Sequence, residues 1–378
     1  MKLKIVLILI LPICMVLSTS IAQNQISKKI LFQLTETELQ HKNIIQISPK
    51  REMIIKEIQG DQNNFFLSSI DNPSEKILLF TAYHDQKPRV MFSQEGKFIY
   101  YTLIENGKKI LGTYERATGK RIIISDETNN VVSSWSAISP TSRKIIYQVR
   151  EEGALTKVFL AQPDGSEPSF ITEGMGERWA PNGKWFTVLR PENIDDFKTI
   201  YKTNKKGETW KGLKTENAKW FYWIYSSTGD PLVSLNEFDQ PNFFLWSPSS
   251  DHFIIRSMTD HGFWVVSIKE INGNLQLKKY THFVSEEIGK IELRNPSWSP
   301  DGENLTYIKS FLDESGHAYI KNEIWISTID GKKTLKIKES EGSIEEIPIW
   351  SADSKILIKE GKNYSKGVSI LEISINDL

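Results

Sequence analysis

The side chains in this sequence most able to do chemistry are histidines with carboxylates beside them. His261, His282 and His317 fall in a stretch that also carries Asp260, Glu286, Glu287, Asp313 and Glu314. Imidazoles and carboxylates that converge from separate loops can bind a divalent metal. Long polar loops also gather histidines with no chemical cause, and that is the reading carried forward: no metal and no cofactor is expected. Little else competes. The sequence has no His-Glu-x-x-His helix, P-loop or EF-hand loop, and Gly174-Met175-Gly176 lacks a third glycine and reads as a loop. Its single cysteine, Cys14, lies in the N-terminal leader. Once that leader is removed, no disulfide, thiolate metal site or cysteine nucleophile is available.

What must position these residues is a repeat. Seven times an apolar residue runs into a short turn rich in Ser, Pro, Asp and Gly, then into a hydrophobic strand. The clearest copy is Trp298-Ser299-Pro300-Asp301-Gly302, followed by Leu305-Thr306-Tyr307-Ile308. The others begin at Ile47-Ser48-Pro49, Phe92-Ser93, Ile138-Ser139-Pro140, Trp179-Ala180-Pro181, Trp246-Ser247-Pro248 and Trp350-Ser351-Ala352. Their second residues are 45, 46, 41, 67, 52 and 52 positions apart. A period of roughly 40–50 residues built from short strands predicts propeller blades. The spelling has a physical basis: proline presets the first central turn position, Asp or Asn suits the next, and Gly closes the turn without steric cost. The apolar residue before the turn is expected to end the innermost strand and pack between adjacent sheets.

Each repeat continues with a strand, a variable loop and a hairpin, so the expected unit is a four-stranded blade. The unit starting at Trp350 lacks its fourth strand, and Lys29–Thr35 is a spare strand that can complete it and hide two sheet edges. The interval between Pro181 and Ser247 is some twenty residues too long. It holds two candidate hairpins, Thr199 to Trp210 and Trp220 to Val233, one of which is read as an addition to blade 4, with an eighth, degenerate blade as the alternative. The run Trp220-Phe221-Tyr222-Trp223 is read as strand core, with sugar stacking or a protein contact as the other reading. In a propeller, loops joining second to third strands and loops between blades share one face. On that mapping His84, Asp260, His261, His282, Glu314 and His317 form the expected interaction face, as does His41, while His252 sits at a turn on the opposite face.

The N-terminus reads as an export signal. Lys2 and Lys4 precede an apolar run from Ile5 to Leu17, and Ser20-Ile21-Ala22 supplies small residues for cleavage. The expected division is therefore a signal peptide over 1–22 and one propeller domain over 23–378. Lipidation at Cys14 fits poorly, because Ile13 rather than a small residue precedes it. Lys and Arg balance Asp and Glu at 47 each, and losing Lys2 and Lys4 leaves 45 against 47. Such neutrality gives no reason to expect a nucleic-acid partner.

The Trp-Ser-Pro-Asp-Gly turn with its following strand and later Asp-Gly hairpin resembles the WD40-like repeats of TolB-type propellers, which also occur in prolyl-oligopeptidase-like peptidases. That resemblance implies a TolB-like architecture and an exported binding role. The sequence has no room for an N-terminal α/β domain of the TolB kind, and no Gly-x-Ser-x-Gly elbow of the peptidases. A fainter likeness to the Asp-box hairpin of sialidase-type propellers lies at Thr203–Trp210, with Lys205 where the aspartate belongs.

Together these observations predict an exported all-β chain, a propeller of seven blades, with six or eight as the alternatives, closed by an N-terminal strand. It is read as a monomeric, non-catalytic scaffold in the periplasm or secreted, with no membrane anchor after cleavage and an envelope protein or glycan as partner. The alternative is a polysaccharide-lyase-like enzyme with a metal site on the histidine-rich face.

Overall fold

The chain forms a seven-bladed β-propeller. The structure, a computed structural model, describes residues 26–86, 88–93, 96–105, 108–124, 137–141, 144–150, 153–162, 166–205, 207–215, 218–257, 261–285, 287–341, 348–360 and 368–375. The expected leader, Asp260 and Glu286 lie outside these. Among the described residues are seven antiparallel four-stranded sheets and one separate two-stranded sheet. By first and fourth strands, blade 1 runs from Lys42–Ile47 to Lys76–Tyr83 and blade 2 from Arg89–Phe92 to Arg121–Ile124. Blade 3 runs from Ala137–Ile138 to Ser169–Glu173, and blade 4 from Met175–Trp179 to Pro231–Ser234. Blade 5 runs from Pro241–Trp246 to Asn274–Phe283, and blade 6 from Ile291–Trp298 to Thr334–Glu341.

Blade 7 is composite. Ile349–Trp350, Ile356–Glu360 and Val368–Ile375 are its first three strands, and the N-terminal Ile26–Leu34 pairs along the third as its fourth. The ring is thus closed by the strand expected to close it.

The core is divided rather than central. Seven hydrophobic clusters of buried residues each lie between one pair of neighbouring blades. A sheet clamped on both faces needs apolar residues at successive positions, because successive side chains point to opposite faces. In blade 5, Phe253 and Ile255 face blade 4 while Ile254 faces blade 6. That is why second strands read as apolar runs instead of alternating.

The repeated turn does three jobs. Its Ser is buried and accepts hydrogen bonds from the following strand: Phe98 N to Ser93 Oγ is 3.1 Å, His252 N to Ser247 Oγ 3.0 Å, Asn304 N to Ser299 Oγ 2.9 Å and Lys355 N to Ser351 Oγ 3.1 Å. Its apolar leader packs between blades, as expected. Trp246 and Trp298 also donate their indole N–H groups to Arg178 O and Leu245 O in the preceding blade, at 3.3 and 3.4 Å. Its last residue takes a left-handed conformation, supplied by Gly183 and Gly302 (φ 68° and 77°) but by Arg51, Ser250 and Ser354 (58°, 64° and 60°) in other blades. Two of those side chains repay the strain: Ser250 Oγ accepts from Asn182 N of blade 4 at 3.0 Å, and Arg51 pairs with Asp71 and Glu372. Ser354 is exposed, and among the described residues its side chain has no such tie. Ser354→Gly should therefore raise stability by about 1 kcal/mol, read from the unfolding midpoint; an unchanged midpoint would show that the turn carries no strain there.

The oversized interval resolves as an inserted hairpin. Phe197–Thr203 and Thr209–Thr215 form the two-stranded sheet, placed between the second and third strands of blade 4. Trp220–Ser226 is the third strand, with Phe221 and Tyr222 buried, so the aromatic run is core.

Candidate binding site on the loop face

The residues of the expected histidine face make different local contacts. His84 follows the fourth strand of blade 1, its backbone N–H bonded to Asp61 O at 3.1 Å. His282 lies inside the fourth strand of blade 5 rather than in the loop beyond it. There its ring stacks flat on Trp264, centroids 3.9 Å apart and planes at 2°. His317 and Glu314 belong to a blade 6 turn built around Asp313. The Asp313 carboxylate accepts from Ser315 Oγ at 2.8 Å and His317 N at 3.0 Å, bonds that hold it below the usual carboxylate range. His317 Nδ1 faces Ser315 O at 2.5 Å, which requires the proton on that nitrogen. Among the described residues no group of three His, Cys, Asp or Glu side chains is placed to hold a metal ion.

His261 joins a polar cluster that spans two blades. It sits in the left-handed region (φ 49°) where blade 5 turns from its second to its third strand, and its carbonyl accepts from Leu293 N of blade 6 at 3.0 Å. That bond brings the turn against the first strand of blade 6. His261 Nδ1 lies 3.8 Å from Glu292 Oε1. Glu292 is the hub: Arg256 Nη2, from the second strand of blade 5, lies 3.4 Å from its Oε2, and Tyr319 OH donates to the same oxygen at 2.8 Å. Burial, with Glu292 alongside, pushes the Tyr319 phenol up from its ordinary value.

Arg294 completes the array. Its guanidinium stacks on the Tyr319 ring at 4.0 Å, while Nε donates to Ser310 Oγ at 2.6 Å and Nη2 to Asn322 Oδ1 at 3.4 Å. Arg256, Glu292 and His261 remain partly exposed, with side-chain exposures of 19%, 20% and 29%. The result is two guanidiniums, a carboxylate, a phenol and an imidazole, fixed by strands of two blades and open to solvent. Planar guanidiniums held this way are suited to orienting a polar partner group.

Sequence reading found His261 but missed Arg256, Glu292, Arg294 and Tyr319. The signal that existed was weak: charged residues in two strands of an otherwise apolar frame. Glu292 and Arg294 stand two apart in one strand, so they share a face. The strand then bulges between Arg294 and Ser297, with Asn295 left-handed (φ 53°).

No family model matches the chain, and no curated protein matches it. Solved propellers do. Prolyl oligopeptidase B from Galerina marginata is 11% identical, with 96% of this chain and 55% of that one covered and a TM-score of 0.54. The tricorn protease is 9% identical, with 88% and 34% covered and a TM-score of 0.51. TolB from Acinetobacter baumannii is 13% identical, with 74% and 61% covered and a TM-score of 0.40, so the chain spans less than two thirds of that protein. At these identities the likeness is one of fold alone.

Proposed function

We propose that this protein is an exported propeller that acts as a non-catalytic binding module, recognising an envelope protein or glycan with the face carrying Glu292. The observation that supports it most is the preorganised Arg256–Glu292–Tyr319–Arg294 array. Its side chains are held by hydrogen bonds and stacking before any partner arrives, which lowers the ordering cost of binding. Leader-like residues at the N-terminus support export, and no helix among the described residues is long and apolar enough to cross a membrane.

The test compares partners crosslinked from envelope extract by wild-type protein, by Arg294→Ala/Tyr319→Ala and by Lys332→Ala at the opposite turn face. Loss of one guanidinium and its aromatic platform should cut recovery of a specific partner about tenfold or more, while Lys332→Ala leaves it unchanged. Equal recovery by all three would refute the assignment of the face. Failure of the wild type to retain anything would refute the binding role itself. N-terminal sequencing of the exported protein should begin at Gln23.

A further inference from the structure

The hairpin inserted into blade 4 is not needed to close the ring, and its chemistry differs from the rest of the molecule. The chain as a whole is electrically neutral. Among the described residues between 197 and 219, Lys198, Lys202, Lys205, Lys211, Lys214 and Lys219 are all exposed, against the single acid Glu208. Acidic Glu192, Asp195 and Asp196 stay at its base, before the first strand.

Pairing defines its two faces. Thr199 opposite Leu213 and Tyr201 opposite Lys211 lie on one; Lys198 opposite Lys214, and Ile200 opposite Gly212, lie on the other. The first face is anchored near its base: Thr199 Oγ1 donates to Gly153 O of blade 3 at 2.8 Å, and Phe197 packs edge-on against Trp220 at 5.6 Å. Lys211, opposite Tyr201, also lies close to Gly153, while Tyr201 itself is 71% exposed. The tip is nevertheless well formed. Glu208 N donates to Asn204 Oδ1 at 3.0 Å, Asn204 Nδ2 to Glu208 Oε2 at 2.5 Å, and Gly207 takes φ 83°. Lys205 is thereby carried at the end of a braced projection.

We infer that this hairpin docks the protein on an anionic lipid surface, its lysines drawn to the headgroups and Tyr201 seated in the interfacial layer. Three features favour that occupant. The cations are all lysines, compact hydrated point charges that serve a diffuse anionic surface, and the segment has no arginine fork for gripping one defined phosphate or carboxylate. A tyrosine ring is amphipathic and settles at headgroup level. The charge also surrounds a projecting element instead of lining a cleft, so it can meet a flat surface without displacing any blade.

The experiment is sedimentation of the purified protein, its N-terminus read by mass spectrometry, with phosphatidylcholine vesicles with and without phosphatidylglycerol, at low and high salt. Binding is expected only to the anionic vesicles and is expected to fall at high salt. Lys198→Glu/Lys202→Glu/Lys205→Glu should weaken it about 100-fold, with Tyr201→Ser giving a smaller loss. A thermal melt confirms that each variant is folded; should the charge-reversed variant not fold, the triple Lys→Gln variant takes its place. Indifference of the wild type to anionic vesicles would overturn the inference, as would undiminished binding by the folded variants. Retention on immobilised polygalacturonate together with indifference to vesicles would overturn it in favour of an acidic glycan.

Discussion

Removing Ile26–Leu34 should abolish the cooperative monomer, leaving a chain that elutes as oligomers and melts without a single transition. The strand pairs along Val368–Ile375, and its residue Leu34, 2% exposed, packs with Ile44, Ile47, Leu357, Val368 and Ile370 in the wall between blades 7 and 1. Its loss opens an apolar strand edge and removes part of that wall, a template for pairing with another chain. The same seam carries an ion pair between Arg51 and the buried Glu372, with Arg51 also bonded to Asp71 at 2.7 Å. Ala352 N donates across the seam to Pro49 O at 2.9 Å. Arg51→Ala leaves Glu372 with only Lys355, 3.6 Å away, among the described residues. The expected cost is about 2 kcal/mol, below that of a fully buried pair because Arg51 is partly exposed. Arg51→Gly loses the same pair but relieves the left-handed backbone, so it should be the milder variant by about 1 kcal/mol. Size-exclusion chromatography and thermal melts read all three; a truncated chain that stays monomeric and cooperative would show that closure does not depend on this strand.

Glu177→Gln should make the protein more stable at pH 8 by about 3 kcal/mol while changing little at pH 4. Glu177 lies in the first strand of blade 4, 3% exposed, facing blade 3. Gln148 Nε2 donates to one carboxylate oxygen, and the other is buried with no hydrogen-bond partner among the described residues. Burial pushes the carboxyl up to about 7 from an ordinary 4.5. Below pH 4.5 the carboxyl is protonated in both folded and unfolded chains, so it costs nothing. Between 4.5 and 7 the unfolded chain ionises first, and stability falls as pH rises. Above 7 the penalty is complete. The decisive readout is the difference between wild-type and variant midpoints against pH; a flat difference would refute the assignment.

The repeat was readable because each copy is self-contained. A buried serine that caps the next strand, a proline that presets the turn and a left-handed closing residue act within five positions, so their spelling survives in order along the chain. Trp179, Trp246, Trp298 and Trp350 were legible for the same reason, each ending a first strand beside its turn. The extra hairpin was visible as surplus length. Which of two hairpins was the addition was not visible, since both had acceptable strand and turn chemistry and only pairing of Trp185–Pro191 with Trp220–Ser226 distinguishes them.

The polar site was far less legible. His261, His282 and His317 have loop-like neighbours in sequence, yet one meets Glu292, one stacks on Trp264, and one bonds within its own turn. The sequence by itself determined the propeller architecture and the closing strand, because turn chemistry and apolar runs are local and the ring simply repeats them; that the blades number seven and not six or eight was decided by which strands pair. Only the tertiary structure decided that Arg256, Glu292, Arg294 and Tyr319 share one site. Their meeting depends on how two sheets lie against each other and on one bulge at Asn295, and no short-range pattern encodes a contact across that distance.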